Sequence, residues 1–334
     1  MSRCYRDVAP FLRKSLNSRI FNRSDTLDLQ TECGEHIGFI TKNISSLISK
    51  YNQYFEIQPD RVILQGTSFD HRTSNMKEFA EDINHNWPSL ARECGFNLNH
   101  LGWRNELYTV YPKTQHPLNY NTKLFDIERC LCKFLSIQTY GVHVNCFTRK
   151  EDGLYLWVGR RSPTKPTFPN LVDQCVAGKE HNKLILFLRT LVDTYYKKIL
   201  LGGLPSGLSL SEALVKEAKE EASIPKYLSS KGGLTGFVQY SYHLDHFIFR
   251  EINYVFDLEL PPDFQPLTND GETLDFRCVK LDDNCDLFDN PNDWKPNCFA
   301  ISFDFAVRQG VFKPEDITDL LEWGYLAKNT NIFD

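Results

Sequence analysis

Three glutamates pose the chemical question in this sequence. Glu217, Glu220 and Glu221 stand at i, i+3 and i+4 within Leu214-Val215-Lys216-Glu217-Ala218-Lys219-Glu220-Glu221-Ala222. On a helix that spacing puts all three on one face. Three like charges on one face repel one another, and a divalent cation removes that cost. Mg²⁺ (or Mn²⁺) suits such a set, because it takes hard oxygen ligands and completes its shell with waters and phosphate oxygens. The bland alternative is a solvated, Glu-rich helix face.

The flanking residues say how such a helix is held. Gly202-Gly203-Leu204-Pro205-Ser206-Gly207 is a glycine-rich loop leading into it. Ser209 with Glu212 three residues later is a capping box that starts the helix near Leu210, and Pro225 helps stop it. Leu214, Val215, Ala218 and Ala222 form an adjacent apolar stripe able to pack on a sheet. Other groups able to act on a phosphorylated substrate lie elsewhere. Arg160, Arg161 and Lys165 could meet phosphate oxygens, or be exposed strand-end charges. Glu272, in the turn Asn269-Asp270-Gly271-Glu272, could be a base, a further ligand or a surface residue. His143 lies in an alternating strand and faces either a pocket or the core.

Around these, short strands and helices alternate. The pattern predicts a strand at 35–40, helices at 43–55 and 75–95, a strand at 103–111 and a helix at 125–136. From about 139 it predicts a strand, a Lys150–Gly153 hairpin turn and a returning strand at 154–161. Two more strands follow at 236–242 and 251–260, with helix again at 295–326. The change of texture places a boundary after residue 136, giving domains at 1–136 and 137–334.

The composition excludes several classes. The 334 residues are 41% hydrophobic and 24% charged, which suits folded domains. A net charge of −5 argues against nucleic acid or an anionic membrane as bulk partner. No run of 18 uncharged apolar residues is present, and no repeat of solenoid length. Ten scattered cysteines without zinc spacing read as reduced thiols. With no secretory apolar region, a cytoplasmic protein is expected. The basic start (Arg3, Arg6, Arg13, Lys14, Arg19, Arg23) leaves a mitochondrial transit segment as the alternative.

The stretch from Gly202 to Ile224 resembles the Nudix box, G-x5-E-x7-R-E-U-x-E-E-x-G-U. It departs at three places: Leu208 for the first Glu, Lys216 for Arg and Ser223 for Gly. The segments Trp103–Tyr108, Phe125–Arg129, Tyr140–Asn145, Arg160–Lys165, Asn269–Glu272 and Lys295-Pro296-Asn297-Cys298 also resemble the thiamine-pyrophosphokinase-related Nudix family. The resemblance implies an α/β protein, a Nudix α/β/α sandwich with an N-terminal α+β domain. It implies metal held by Glu217, Glu220, Glu221 and a backbone carbonyl near Gly203. Lys216 would hold a neighbouring carboxylate, one of the glutamates or Glu272 would be the base, and Arg160, Arg161, Lys165 and His143 would face the substrate. The implied activity is hydrolysis of oxidised or toxic thiamine diphosphate analogues to the monophosphate and phosphate. A small-molecule diphosphate is then the partner, with no nucleic acid and no membrane. Rival readings are a diphosphatase for ADP-ribose or dinucleotides, and a Nudix module that binds without turnover.

Relative to that family pattern, residues 179–202 are an insertion. Leu184, Leu188, Leu191, Tyr195 and Ile199 lie at helical spacing, which suits a lid. Gly178-Lys179 and Leu201-Gly202 can also be encoded with GT and AG boundaries, so a retained intron is the competing expectation.

Overall fold

The computed structural model describes residues 25–96, 101–103, 105, 107–112, 123–165, 168–179, 210–244, 246–269, 271–282 and 285–312. The expected lid or retained intron, Gly203 and the rest of the glycine loop, Leu208 and the Ser209 cap lie outside these residues, apart from Lys179 itself.

The first half is built on a four-stranded sheet. Its strands are β1 (Thr26–Thr31), β2 (His36–Thr41), β3 (Phe55–Ile57) and β4 (Arg61–Leu64), in the order β2-β1-β4-β3. Helix α1 (Lys42–Ile48) follows β2 directly, and the Thr41 hydroxyl accepts the Ile44 N–H at 3.4 Å as its cap. It ends earlier than the spacing predicted, in a 3₁₀ turn at Ser49–Tyr51. Helix α2 (Phe69–Glu93) is capped by Ser68 and buries Met76, Phe79, Ile83, Trp87 and Leu90, a 3.6-residue stripe. The predicted helix at 125–136 is instead strand β6 (Phe125–Glu128), paired with β5 (Leu107–Val110), then a 3₁₀ turn at Arg129–Leu131. Phe125 and Ile127 are buried while Asp126 is partly exposed, and this two-residue period overrode the longer apolar spacing.

The second half carries seven strands: β7 (Gln138–Lys150), β8 (Gly153–Arg161), β9 (Val172–Gln174), β10 (Val176–Lys179), β11 (Gly233–Leu244), β12 (Phe247–Glu259) and β13 (Thr273–Lys280). The path is β11-β12-β7-β8-β13, with β7 and β12 parallel. β7 and β8 pair only near their hairpin, from Phe147↔Leu156 to Lys150↔Gly153. Beyond it they separate. β10 then pairs with β7 (Val176↔Val144 to Lys179↔Gly141), and β9 pairs with β8 (Val158↔Gln174 to Arg160↔Val172). The sheet therefore splays, and the β9–β10 segment spans the split.

Helix α3 (Leu210–Ala222), with the short α4 (Lys226–Ser229) after it, covers one face. Ala213, Leu214, Ala218 and Ala222 pack there with Val142, Val144, Cys146 and Phe256. Helix α5 (Pro296–Arg308) covers the other face, where Phe299, Phe303 and Phe305 join Phe147, Val158 and Val255. Alternate residues of β7 and β12 thus serve two separate cores. The expected α/β class with a helix–sheet–helix sandwich is what the chain forms.

The two halves share packing. Phe247 of β12 sits in the first core, against Phe96 and Phe134. Arg250 Nη1 donates to the Ser136 carbonyl at 3.0 Å, with its guanidinium over Phe39. No helix among the described residues is long and apolar enough to cross a membrane.

Candidate active site

Helix α3 presents its three glutamates differently, although they share a face. Lys216 Nζ lies 2.9 Å from Glu217 Oε1 and 2.9 Å from Glu220 Oε2. Partial burial works against the Lys216 charge, but the two carboxylates outweigh it and hold the ammonium well above its usual range. Glu217 is buried at 8% exposure, and Glu220 is open to solvent. Glu221 points the other way. Its Oε2 accepts the Ala177 N–H of β10 at 2.6 Å. Burial pushes Glu221 up to about 8 despite that N–H; Glu217 and Asp173 push the same way, and Lys295 opposes them.

A helix face is thus not yet a ligand set. Among the described residues no three His, Cys, Asp or Glu side chains converge as a metal site. The donor chemistry still fits a hard divalent ion. Glu217 is buried and Glu221 half-buried, the two repel each other, and the desolvation of Glu221 disfavours its ionised form where no divalent cation answers it.

The end of α3 lies beside these residues. Ser223, at the position of the Nudix-box glycine, has φ +54°. That left-handed turn lets the Ile224 N–H reach Ala218 O at 2.9 Å, while the Leu267 N–H takes Ala222 O at 3.1 Å.

The substrate-side candidates divide into two groups. Arg161 is buried; its Nη1 donates to Asp173 Oδ2 at 2.6 Å and its Nε to Phe168 O at 2.9 Å. His143 is buried too, with Nδ1 2.5 Å from Gln174 Oε1 and Nε2 3.4 Å from Asn297 Nδ2. Burial lowers the His143 pKa to about 4, with Lys295 adding to the effect, so the ring is neutral. Arg161 and His143 therefore meet around Asp173 and Gln174 at the splay of the sheet. Arg160, Lys165 and Glu272 stand at the far end of β8. Arg160 Nη1 donates to Asn170 O at 2.5 Å, Lys165 pairs with Glu272, and the Ser162 N–H donates to Glu272 O at 2.9 Å.

Spacing alone missed the wall opposite α3. Lys295 Nζ lies 3.6 Å from Asp173 Oδ2, and Cys298 Sγ lies 2.6 Å from Asp173 Oδ1. Burial alone would raise the Asp173 carboxyl; Lys295 and Arg161 outweigh it and hold the pKa below its ordinary value. The signal was present as Asp173-Gln174 inside the otherwise apolar run Leu171–Val176, and as Lys295-Pro296-Asn297-Cys298.

The protein is 34% identical over 215 residues to Nudix hydrolase 24, chloroplastic, of Arabidopsis thaliana, covering 64% of this chain and 51% of that one. Nudix hydrolase 20, chloroplastic, of the same plant is 29% identical over 286 residues (84% and 67%). Both of these plant relatives are named Nudix hydrolases. The chain spans about half the length of the first of them. An uncharacterised protein of Saccharomyces cerevisiae, YJR142W, is 29% identical over 314 residues, covering 87% of this chain and 80% of that one.

Residues 12–139 match a family described as a domain of unknown function, DUF4743. That match ends as β7 begins. Among solved structures, the Nudix domain of Shewanella oneidensis NrtR, cocrystallised with ADP-ribose, is 11% identical. It covers 53% of this chain and 90% of that one, with a TM-score of 0.35. A Caenorhabditis elegans Ap4A hydrolase is 13% identical over 51% of this chain and 98% of that one, with a TM-score of 0.30. The cytoplasmic expectation is corrected here: both plant relatives are named chloroplastic.

Proposed function

We propose that this chain is a metal-dependent Nudix diphosphatase acting on oxidised or toxic analogues of thiamine diphosphate, releasing the monophosphate and phosphate. The observation that carries the reading is the pair Glu217 and Glu221, one turn apart on a helix that follows a glycine-rich loop in the sequence, with Glu217 buried and Glu221 half-buried and raised in pKa to about 8 by its surroundings. The substrate subtype rests on the resemblance of the segments quoted above. Glu217, Glu220 and Glu221, with a backbone carbonyl near Gly203, would hold Mg²⁺ or Mn²⁺. The bound ion supplies phosphoryl charge neutralisation and a more acidic water.

The chain's own residues do the rest. Ala177 N–H fixes one oxygen of Glu221, leaving Oε1 as the atom to receive the water's proton. Lys216 holds Glu217 and Glu220 in register. Arg160, and Lys165 paired with Glu272, are the cations we assign to the substrate's outer charges.

A second reading is binding without turnover. It is favoured by Lys216, whose ammonium already answers both Glu217 and Glu220. Phosphate release from oxythiamine, oxothiamine and thiamine diphosphates, ADP-ribose and NADH, with and without Mg²⁺, tests both. Preferred release from the damaged thiamine forms is expected. Preference for ADP-ribose or NADH would overturn the substrate, and no release from any compound would leave the binding module.

A further inference from the structure

The motif Lys295-Pro296-Asn297-Cys298 opens helix α5 on the side of the sheet opposite α3. Its side chains nevertheless turn to the same split in the sheet. Lys295 Nζ is 3.6 Å from Asp173 Oδ2, the oxygen that Arg161 Nη1 holds at 2.6 Å. Cys298 Sγ takes the other oxygen, Oδ1, at 2.6 Å. The backbone joins in: the Lys295 N–H donates to Val172 O at 2.9 Å, and Trp294 bridges to Val172. The start of α5 is therefore fixed to β9 by main chain and side chain together.

β9 runs into β10 through Cys175, and the Ala177 N–H of β10 holds Glu221. The covalent path from Asp173 to Ala177 is four residues long and is strand at both ends. That short path joins Asp173 to the N–H that orients Glu221. The Lys295 ammonium also acts on Glu221 and on Glu251 across the split. Its side chain is 15% exposed, so it is enclosed but not sealed.

We propose that Lys295 is a positioning residue for metal binding, acting through Asp173 and the β9–β10 strand on Glu221. The proposal rests on the metal reading given above. Outer groups that orient metal ligands commonly alter metal affinity by ~10–100-fold when removed. Truncation of the ammonium should therefore weaken the ion's hold without changing the ligands themselves. A cation of similar reach and fixed charge should restore it.

The test is Mn²⁺ binding to the full chain, followed by electron paramagnetic resonance, for the wild type, Lys295→Met and Lys295→Arg. Thermal unfolding of each variant establishes that it is folded. Lys295→Met should bind Mn²⁺ ~10–100-fold more weakly, and Lys295→Arg should recover most of that loss. In phosphate release, Lys295→Met should need correspondingly more Mg²⁺, with the substrate KM little changed at saturating metal. Should Lys295→Met fail to fold, Lys295→Gln takes its place in the same measurement. Wild-type Mn²⁺ affinity in a folded Lys295→Met would overturn the inference while leaving the diphosphatase reading standing. A wild-type chain that binds no Mn²⁺ would remove both. Mn²⁺ binding without phosphate release from any compound would remove only the diphosphatase reading.

Discussion

The two walls of the site solve the problem of buried charge in opposite ways. On α3 the carboxylates outnumber their cation: Lys216 serves Glu217 and Glu220, and Glu221 is left with a backbone N–H. On the α5 wall the cations outnumber the carboxylate they share, with Arg161 and Lys295 both on Asp173. The first arrangement is poised to gain a cation. The second is already answered, and so serves as scaffold. Carboxylates and cations are counted oppositely on the two walls, and the α3 wall is also the more exposed: Lys216 and Glu220 are 34% and 55% exposed, against 15% for Lys295 and 8% for Asp173.

Removing the shared carboxylate is the hardest test of that contrast. Asp173→Ala leaves Arg161 and Lys295 buried without their partner and deletes the acceptor of Cys298. A loss of ~3–5 kcal/mol of stability is expected, read by urea unfolding. On the α3 wall the same kind of change should spare the fold. Glu217→Gln and Glu221→Gln should each cut Mg²⁺-dependent phosphate release by more than ~100-fold with little change in the unfolding midpoint. If Glu221→Gln unfolds the protein while Asp173→Ala leaves it stable, the assignment of the two walls is reversed.

The α3 wall was legible in the sequence because one helix carries it. Glu217, Glu220 and Glu221 need only a 3.6-residue period to share a face, and the loop and stop signals around them placed the helix. The α5 wall is assembled from β7, β8, β9 and α5, so His143, Arg161, Asp173 and Lys295 meet only after the sheet forms. Lys295 and Asp173 are 122 positions apart, and no local period joins them. The fold was read in the same uneven way. The β7–β8 hairpin followed from Lys150–Gly153 and its alternating flanks. The predicted helix at 125–136 failed because Phe125 and Ile127 fit a strand as well as a helix, and pairing with β5 decided between them. What even a correct helix assignment could not supply is the direction of each glutamate. Lys216 draws Glu220 along the surface and the Ala177 N–H draws Glu221 inward.

The charge imbalance on α3 also has a pH signature. The folded pKa of Glu221 lies at about 8, above its ordinary value of 4.5, so the folded metal-free protein binds a proton that the unfolded chain has released. The stability that Glu221 contributes is then full below about pH 4.5 and is lost as pH rises towards 8. The buried neutral His143, its pKa lowered from 6.5 to about 4, adds stability as pH rises to about 6.5 and offsets the Glu221 loss there, so in chelator the unfolding midpoint should fall chiefly between about pH 6.5 and 8. Glu221→Gln should flatten the fall, because the amide does not titrate. Adding Mg²⁺ at pH 8 should restore the wild type more than the variant. A wild-type midpoint independent of pH in chelator would mean that Glu221 is ionised there without an added cation.

The smallest effect lies at the end of α3, where the chain departs from the Nudix box without departing from its backbone. Ser223 keeps the left-handed turn of the glycine it replaces, at φ +54°, and the turn directs Ile224 to Ala218 O. A side chain in that region costs ~1 kcal/mol because its Cβ crowds the neighbouring backbone. Glycine removes the crowding but adds freedom to the unfolded chain, which takes back part of the gain. Ser223→Gly should therefore stabilise the protein by ~0.5 kcal/mol, measured by urea unfolding. Because the turn itself is unchanged, Glu221 should keep its place and phosphate release should stay within a factor of about two. A large gain in activity from Ser223→Gly would show that the serine displaces the α3 carboxylates, and that the contrast between the walls begins at this turn.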